Sequence, residues 1–484
     1  MQRFPYMDNK QIREVILTTA NNTEHLSNTA IYGQGLLDVA KAMQGPGKFR
    51  QDWIANLPKN PCAGLIDQTC NVWSNDISGP GALTKTGEGT LTLSGNNTYS
   101  GTTHVQAGQL NVTGQIQHSR ALQVDHGATL RGTGFIHSPT TIAGILAPGN
   151  SAGTLTFSAP LTMTAGSQTQ LDIDGIGTAS GAGHYSRVVG QNTVTLGGRL
   201  LPRLRGIEGQ ATNVFTPAVG NLFAAVLSAQ GGFVGGFDAL VQPDGLVAGS
   251  RFDVLFQGNQ ADLAVASSTL PCSMLGDNAA AGTQVLNTLR DTPMALRPDA
   301  YNTWLWQATV GEASDVTYRA IGGQIYADSL AWGMAYQDGL GQVLFDRLAG
   351  FGSGKTAHTP GYALWMEVPY RRHTYSASPS RLDTQARFGG VLLGLDRQFE
   401  RLQVGAAFGV VDGRVKQDVA SMDLDGYSFS VYGHYGFADG QPAQYLDAPP
   451  PRTGLHKKAR PDQVLARASL MPRLKVRGLM LWAV

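Results

Sequence analysis

The sequence predicts a mainly β chain: a stacked β-solenoid resembling a right-handed β-helix, then a helix, then an incomplete outer-membrane β-barrel. Three observations bear on it, and the first leaves a sandwich or a barrel open beside the solenoid. Between residues 73 and 270, short period-2 apolar clusters are punctuated by Gly, Asn and Pro, with no helical period. Between 323 and 348, leucines recur at helical spacing. Between 362 and 437, strands of about ten residues set apolar side chains against small or polar ones, with aromatics near their ends, as in a membrane barrel.

Composition agrees with this reading. A chain of 484 residues has room for roughly three domains. Its 61 glycines, 15% charged and 42% hydrophobic residues suit many short strands and turns, and exclude a disordered chain. The net charge of +1 gives no basic face, so no nucleic acid partner is expected. No run of about 18 apolar residues exists to cross a membrane as a helix. The stretch Met1–Met7 lacks a charged n-region and an apolar h-region, so no signal peptide is expected and the chain reads as a fragment.

Residues 1–45 read as helical. Ile12, Val15, Ile16 and Thr19 share one face, and Asn21-Asn22 ends it. A second helix is expected from Leu36 to Met43, stopped by Gly45-Pro46-Gly47. The run Phe4-Pro5-Tyr6-Met7-Asp8-Asn9-Lys10-Gln11-Ile12-Arg13, then Leu17-Thr18-Thr19-Ala20, resembles the helix after the catalytic serine of subtilases. Tyr32-Gly33-Gln34-Gly35-Leu36-Leu37-Asp38 is similar to the Tyr-Gly-x-Gly-Leu-Leu-Asp motif that follows in that family. Residues 1–48 therefore resemble the end of a subtilisin-like serine protease domain. The resemblance implies an Asp, His, Ser triad upstream, with the serine in Gly-Thr-Ser-x-Ala-x-Pro. That motif occurs nowhere in the chain, so the catalytic residues expected here are none.

Cys62 and Cys70 are close enough for a short disulfide loop in an oxidising compartment; the alternative is two unrelated thiols. Cys272 stands alone.

In 73–270 the strand clusters include Leu91, Leu93, Leu110, Val112, Leu122, Val124, Leu130, Ile142, Leu146, Leu155 and Phe157. Short even strands fit a sandwich, a barrel or a solenoid. Residues 83–112, with Leu83-Thr84-Lys85-Thr86-Gly87-Glu88-Gly89 and Ser94-Gly95-Asn96-Asn97-Thr98-Tyr99-Ser100-Gly101, resemble the passenger-associated transport repeat of autotransporters. Ala147-Pro148-Gly149-Asn150-Ser151 looks like a turn of the same passengers. That resemblance implies the solenoid. Asp172, Asp174 and His184 sit among glycines, but no nonapeptide calcium repeat accompanies them and single turn Asp residues usually accept backbone N–H groups. No metal ligand, no cofactor-binding residue and no cofactor are expected.

Residues 275–350 read as a linker with a helix whose apolar face is Leu330, Met334, Leu340, Leu344 and Leu348. It resembles the helix that occupies an autotransporter pore; the alternative is a core-packing helix. Barrel strands are expected at Tyr362–Arg371, 388–397, 401–414 and 423–437. The alternative is a sandwich with one wet face. After Phe437 alternation stops, and 438–484 reads as an aberrant basic tail: Pro449-Pro450-Pro451, then Lys457, Lys458, Arg460, Arg467, Arg473, Lys475 and Arg477. A mis-read end and a partner-binding tail are the two accounts of it.

Taken together, the order of parts resembles a type V secretion autotransporter of the subtilisin-like kind, cut at both ends. The resemblance implies an outer-membrane and cell-surface location. It implies outer-membrane lipid and the barrel-assembly machinery as partners, and surface protein substrates for a full-length relative. The expected role of this chain is passenger stem and partial translocator, without peptidase activity. The alternatives are an adhesin passenger and a non-functional pseudogene product.

Overall fold

The computed structural model describes residues 3–23, 26–65, 68–204, 215–270, 277–297, 300–309, 323–352, 361–376, 382–399, 402–417, 420–436, 463–470 and 475–481. Cys272, Phe437 and the Pro449–Pro451 run lie outside them. Two compact units result: Met1–Leu270 with Val285–Glu312, and Pro271–Gln284 with Ala313–Val484.

The first unit is a three-faced parallel stack. One face runs from Trp53–Asn56 through Leu83–Thr86, Thr103–Val105 and Leu122–Val124 to Phe233–Gly235. A second runs from Val72–Trp73 through Thr90–Leu93, Gln109–Val112 and Thr129–Gly132 to Ala239–Leu240. The third runs from Asn96–Asn97 through Gln115–Ile116 and Phe135–Ile136 to Leu222–Ala229. Each rung pairs with the next in register, so like side chains form columns. Leu91, Leu110, Leu130, Leu146, Thr169 and Leu200 are one such column, every member fully buried. Alternation explains this directly, because every second residue must point into the stack.

The corners need small residues. A Cβ on Gly114 would lie 2.3 Å from the Gly95 carbonyl oxygen, and one on Gly134 would lie 2.0 Å from that of Gly114. The glycines stack because the rungs above and below leave no room for a methyl group.

Both ends of the stack are covered. At the first rung Phe49 stacks on Trp53 at 5.6 Å and meets the tilted Tyr99 ring at 5.0 Å, and Trp73 meets Trp53 edge-on at 6.0 Å. The helix Asn9–Thr19 packs there. Asp8 and Gln11 form a capping box at its start, and Val15 and Thr19 are buried. Tyr6 accepts from Trp73 Nε1 at 3.0 Å and donates to the Cys70 carbonyl at 3.0 Å. At the far end the antiparallel hairpin Ser250–Gln257 and Gln260–Ser267 pairs with Leu222–Ala229. Arg290, fully buried, closes on Asp253 at 2.6 Å and donates to the Ser267 carbonyl at 2.7 Å.

Several expectations shift. The stack begins at Trp53, twenty residues before the expected start at 73. The Leu36–Met43 helix is replaced by two single turns, Thr29–Tyr32 and Val39–Ala42. The Asp38 carboxylate accepts from Lys41 N at 2.9 Å, and this cap starts the second turn only after Leu36 and Leu37. Cys62 and Cys70 are disulfide-bonded, with Cα atoms 5.6 Å apart.

The second unit is the helix Gln324–Gly352 against an antiparallel sheet. Its central strands are Thr384–Gln398, Leu402–Gln417 and Ala420–Gly436. Gly361–Glu367 and Tyr370–Tyr375 pair along one edge, where a single strand was expected; Pro369 divides it, having no N–H for the ladder. Pairing does not stop at Phe437 as expected: the backbones of Gln463–Leu470 and Lys475–Leu481 pair with Ala420–Gly436. Side-chain alternation could not reveal this, since an open strand edge recruits any extended backbone. Among the described residues the two edges of this sheet do not meet.

Candidate functional site

The chemistry of the second unit lies on the sheet face under the helix. Along Thr384–Gln398, Thr384, Ala386, Phe388, Leu392 and Asp396 point inward, while Leu393 and Leu395 point out. Along Leu402–Gln417, Gln403, Ala407, Gly409 and Val415 point inward, and Val404, Phe408 and Val410 point out. These are the two faces that the sequence assigned. Inward glycines accept neighbouring rings: Trp365 lies over Gly394, Tyr432 over Gly405 and Phe388 over Gly413.

The helix face differs from the expected one. Ile325, Trp332, Tyr336, Leu340, Leu344 and Leu348 are buried against the sheet, and Leu330 and Met334 are exposed. Two aromatics that the leucine count ignored take their place. Trp332 stacks on His373 at 4.5 Å, and Tyr336 on Phe388 at 5.7 Å.

Two polar clamps fix the helix. Near its start, Asp328 accepts from Thr384 Oγ1 at 3.2 Å and from Gln417 Nε2 at 2.8 Å. Near its end, Arg347 holds the buried Asp396 through Nε at 2.6 Å and Nη2 at 2.5 Å. Asp396 also accepts from Trp365 Nε1 at 3.1 Å and from the Tyr432 hydroxyl. The clamps are about 28 Å apart at 1.5 Å rise per residue, close to the thickness of a hydrocarbon layer. Asp396 lies in the strand expected at 388–397, and the sequence reading gave it no role, although a carboxylate within an alternating strand is a signal.

In the first unit, several histidine, serine and carboxylate side chains meet. His104 lies 2.9 Å from Asp125, His137 Nδ1 lies 2.8 Å from Ser158 Oγ, and Ser151 donates to Asp174 at 3.0 Å. Among the described residues no cluster of three metal-ligating side chains occurs. His184 Nδ1 turns to the Ala182 carbonyl at 2.9 Å. Within the strand Leu83–Thr86, Lys85 is fully buried, and its ammonium donates to the Thr86, Gly87 and Ala107 carbonyls at 2.7, 2.8 and 3.1 Å. Burial pushes its pKa down to about 8.

Comparison with known proteins follows the same division. The family pattern described as passenger-associated-transport-repeat matches residues 83–112, and the autotransporter beta-domain pattern matches residues 364–448. The chain is 34% identical over 189 residues to an extracellular serine protease of Serratia marcescens, covering 32% of this chain and 17% of that protein. It is 32% identical over 213 residues to the Neisserial autotransporter lipoprotein NalP of Neisseria meningitidis serogroup B, covering 43% of this chain and 18% of that one. Over 87 residues it is 42% identical to the adhesin BmaC autotransporter of Brucella suis, covering 17% of this chain and 2% of that protein. The chain thus spans less than a fifth of the length of these relatives.

Proposed function

This chain carries autotransporter sequence of both kinds, passenger and β-domain, and on that premise we propose that it serves as passenger stem and translocator wall in a surface protein of the subtilisin-like serine protease kind. One observation carries the reading. The helix Gln324–Gly352 is clamped to one face of an antiparallel sheet, where glycines and polar side chains mix with Phe388, Leu392 and Val415, and the opposite face exposes an apolar band that includes Leu393, Leu395, Val404, Phe408 and Val410. Such a sheet offers one face to hydrocarbon and one to a lumen that holds a segment of chain. An outer-membrane site with the stack at the cell surface follows.

The protease assignment is supported by the motifs at Phe4–Arg13 and Tyr32–Asp38 and by the likeness to the Serratia protease. These 484 residues hold no Gly-Thr-Ser-x-Ala motif, so they supply no subtilase nucleophile of their own. A fluorophosphonate probe should leave the chain unlabelled; labelling at a unique serine, with matching peptide hydrolysis, contradicts this. The second reading, a binding passenger without a peptidase, is favoured by the stretch shared with the Brucella adhesin. Genomic sequence flanking Met1 decides between them: Gly-Thr-Ser-x-Ala-x-Pro selects the protease.

The membrane reading is tested on the full chain carrying Cys272→Ser. Phe408→Cys and Ser428→Cys are labelled separately with a fluorophore, in vesicles doped with a lipid-borne quencher. Quenching at 408 and little at 428 is expected. Equal quenching at both overturns the assignment of faces.

A further inference from the structure

Beyond the apolar band, the outer face of the sheet changes character. Neighbouring strands bring Arg372, Arg387 and Arg414 directly opposite one another in one cross-strand row, followed by Asp423, whose backbone pairs in turn with Arg477. Like charges directly opposite repel. Asp423 is hydrogen-bonded to one of them: Arg414 Nη2 donates to its Oδ2 at 3.0 Å, and Nε to its Oδ1, while Arg387 acts on it only through its charge. Arg372 and Arg387 have no ion-pair partner among the described residues. Lys416 adds a fourth cation, one row farther out on the same face. Asp412 and Asp425 lie one row nearer the band, opposite each other on the next strands. Arg372, Arg387, Arg414 and Lys416, with Tyr370 and Gln385, line a cleft of about 270 Å³ with no carboxylate in its wall.

We propose that this cleft binds the phosphate groups of anionic lipid headgroups. The proposal rests on the membrane-wall reading above. A two-pronged guanidinium pair suits phosphate oxygens, and a bound phosphate removes the repulsion that the bare row carries. Continuity with the apolar face selects a lipid source. Val391, Val410 and Tyr427 begin the band two rows away, about 14 Å along the strands and about 10 Å along the membrane normal at a tilt of roughly 40°. Arginine side chains reaching back toward the band place their guanidinium groups in the headgroup layer. At the opposite end of the band no such row occurs among the described residues: Arg397 donates to the Tyr362 hydroxyl at 2.9 Å and lies over the Tyr362 and Phe399 rings.

The test uses the full chain with vesicles of phosphatidylcholine alone, or phosphatidylcholine with phosphatidylglycerol, in a flotation assay. Native mass spectrometry then counts phosphatidylglycerol retained in neutral detergent. The unsubstituted chain and Arg397→Gln should float with both vesicles, prefer the anionic ones and retain the lipid. Arg372→Gln/Arg387→Gln should float with neutral vesicles but lose about tenfold or more in apparent affinity for phosphatidylglycerol. The same variant should unfold at a higher, not lower, temperature in neutral detergent, because the repulsion is gone; this separates lost binding from lost folding. Equal retention by the double variant overturns the proposal, as does displacement of the lipid by inorganic phosphate alone. A chain that floats with neither vesicle overturns the membrane reading, whereas flotation without anionic preference overturns only the headgroup site.

Discussion

Replacing Leu110 with alanine tests whether the parallel stack is held rung by rung. Leu110 is fully buried between Leu91 and Leu130, its in-register partners on either side. Removing its methyl groups costs the transfer term plus a cavity term, together about 2–5 kcal/mol. The upper half of that range applies. Backbone ladders above and below hold the rungs near a 4.8 Å spacing, so the cavity has little room to collapse. A loss of about 4 kcal/mol speeds exchange of protected amides by roughly a thousandfold. In a stack the loss stays local, because each rung contacts only its neighbours. Hydrogen exchange read by mass spectrometry should show it at Thr90–Leu93, Gln109–Val112 and Thr129–Gly132, and change little at Leu222–Ala229. Phe135→Ala, at a side chain that is 44% exposed, should change the same amides by less than about threefold, within the range of surface substitutions. A uniform rise through all rungs would show one cooperative block and refute the local argument. No rise at all would show that the leucine column does not hold the stack together.

Three further outcomes are expected. Lys85 has a folded pKa near 8 against an ordinary 10.5, so between those values the unfolded chain binds the extra proton and stability rises with pH. The gain from pH 8 to 10 is about 1–2 kcal/mol, measured as the difference in urea midpoint from Lys85→Met, which should lack it. Gly134→Ala drives a methyl group into the Gly114 carbonyl and should cost about 2 kcal/mol or more, seen as a lower thermal midpoint for the stack; an unchanged midpoint refutes the corner packing. Asp396→Ala leaves the Arg347 guanidinium without its buried carboxylate partner and should cost about 3 kcal/mol. Limited proteolysis should then cut the helix near Leu344–Leu348 and spare Ile325–Trp332; equal cutting at both ends sinks the two-clamp account.

The sequence made strands and their faces legible, since the alternation at 402–410 and 427–435 is a local property of successive residues. It did not make partners legible. Leu110 pairs with Leu91 and Leu130, 19 and 20 residues away, and only the transport-repeat resemblance pointed to stacking rather than a sandwich. The first rung was missed because Trp53–Asn56 is four residues long and stands alone until Leu83–Thr86 pairs with it. The helix face was misjudged because counting leucines overlooks Trp332, which packs on His373 and Tyr375, and Tyr336, which packs on Phe388 with its hydroxyl over Gly390. For the candidate site, inner and outer faces were readable, but the clamps were not. Asp328 and Asp396 acquire their meaning from Gln417 and Arg347, 89 and 49 residues away, through pairings that no local pattern encodes.

One period-2 pattern serves two opposite ends in this chain. In the stack the apolar member of each pair points inward, because three faces closing on one another leave no other interior, and the leucine and valine columns fill it. In the sheet the exposed apolar side chains point outward, while the inner side, which carries a helix, mixes Phe388, Leu392 and Val415 with glycines and polar groups. A backbone lying close above that face needs small residues beneath it and polar ones where it must be held. Gly390 shows this at one position: a Cβ there would lie 2.7 Å from the Tyr336 hydroxyl, so a larger residue would push the helix away. The same helix gives Asp328 and Arg347 their partners on that face. In a chain of this composition, therefore, the direction in which the apolar half points depends on whether the other half has something to hold. The inward glycines and the inward charges are two consequences of that single constraint.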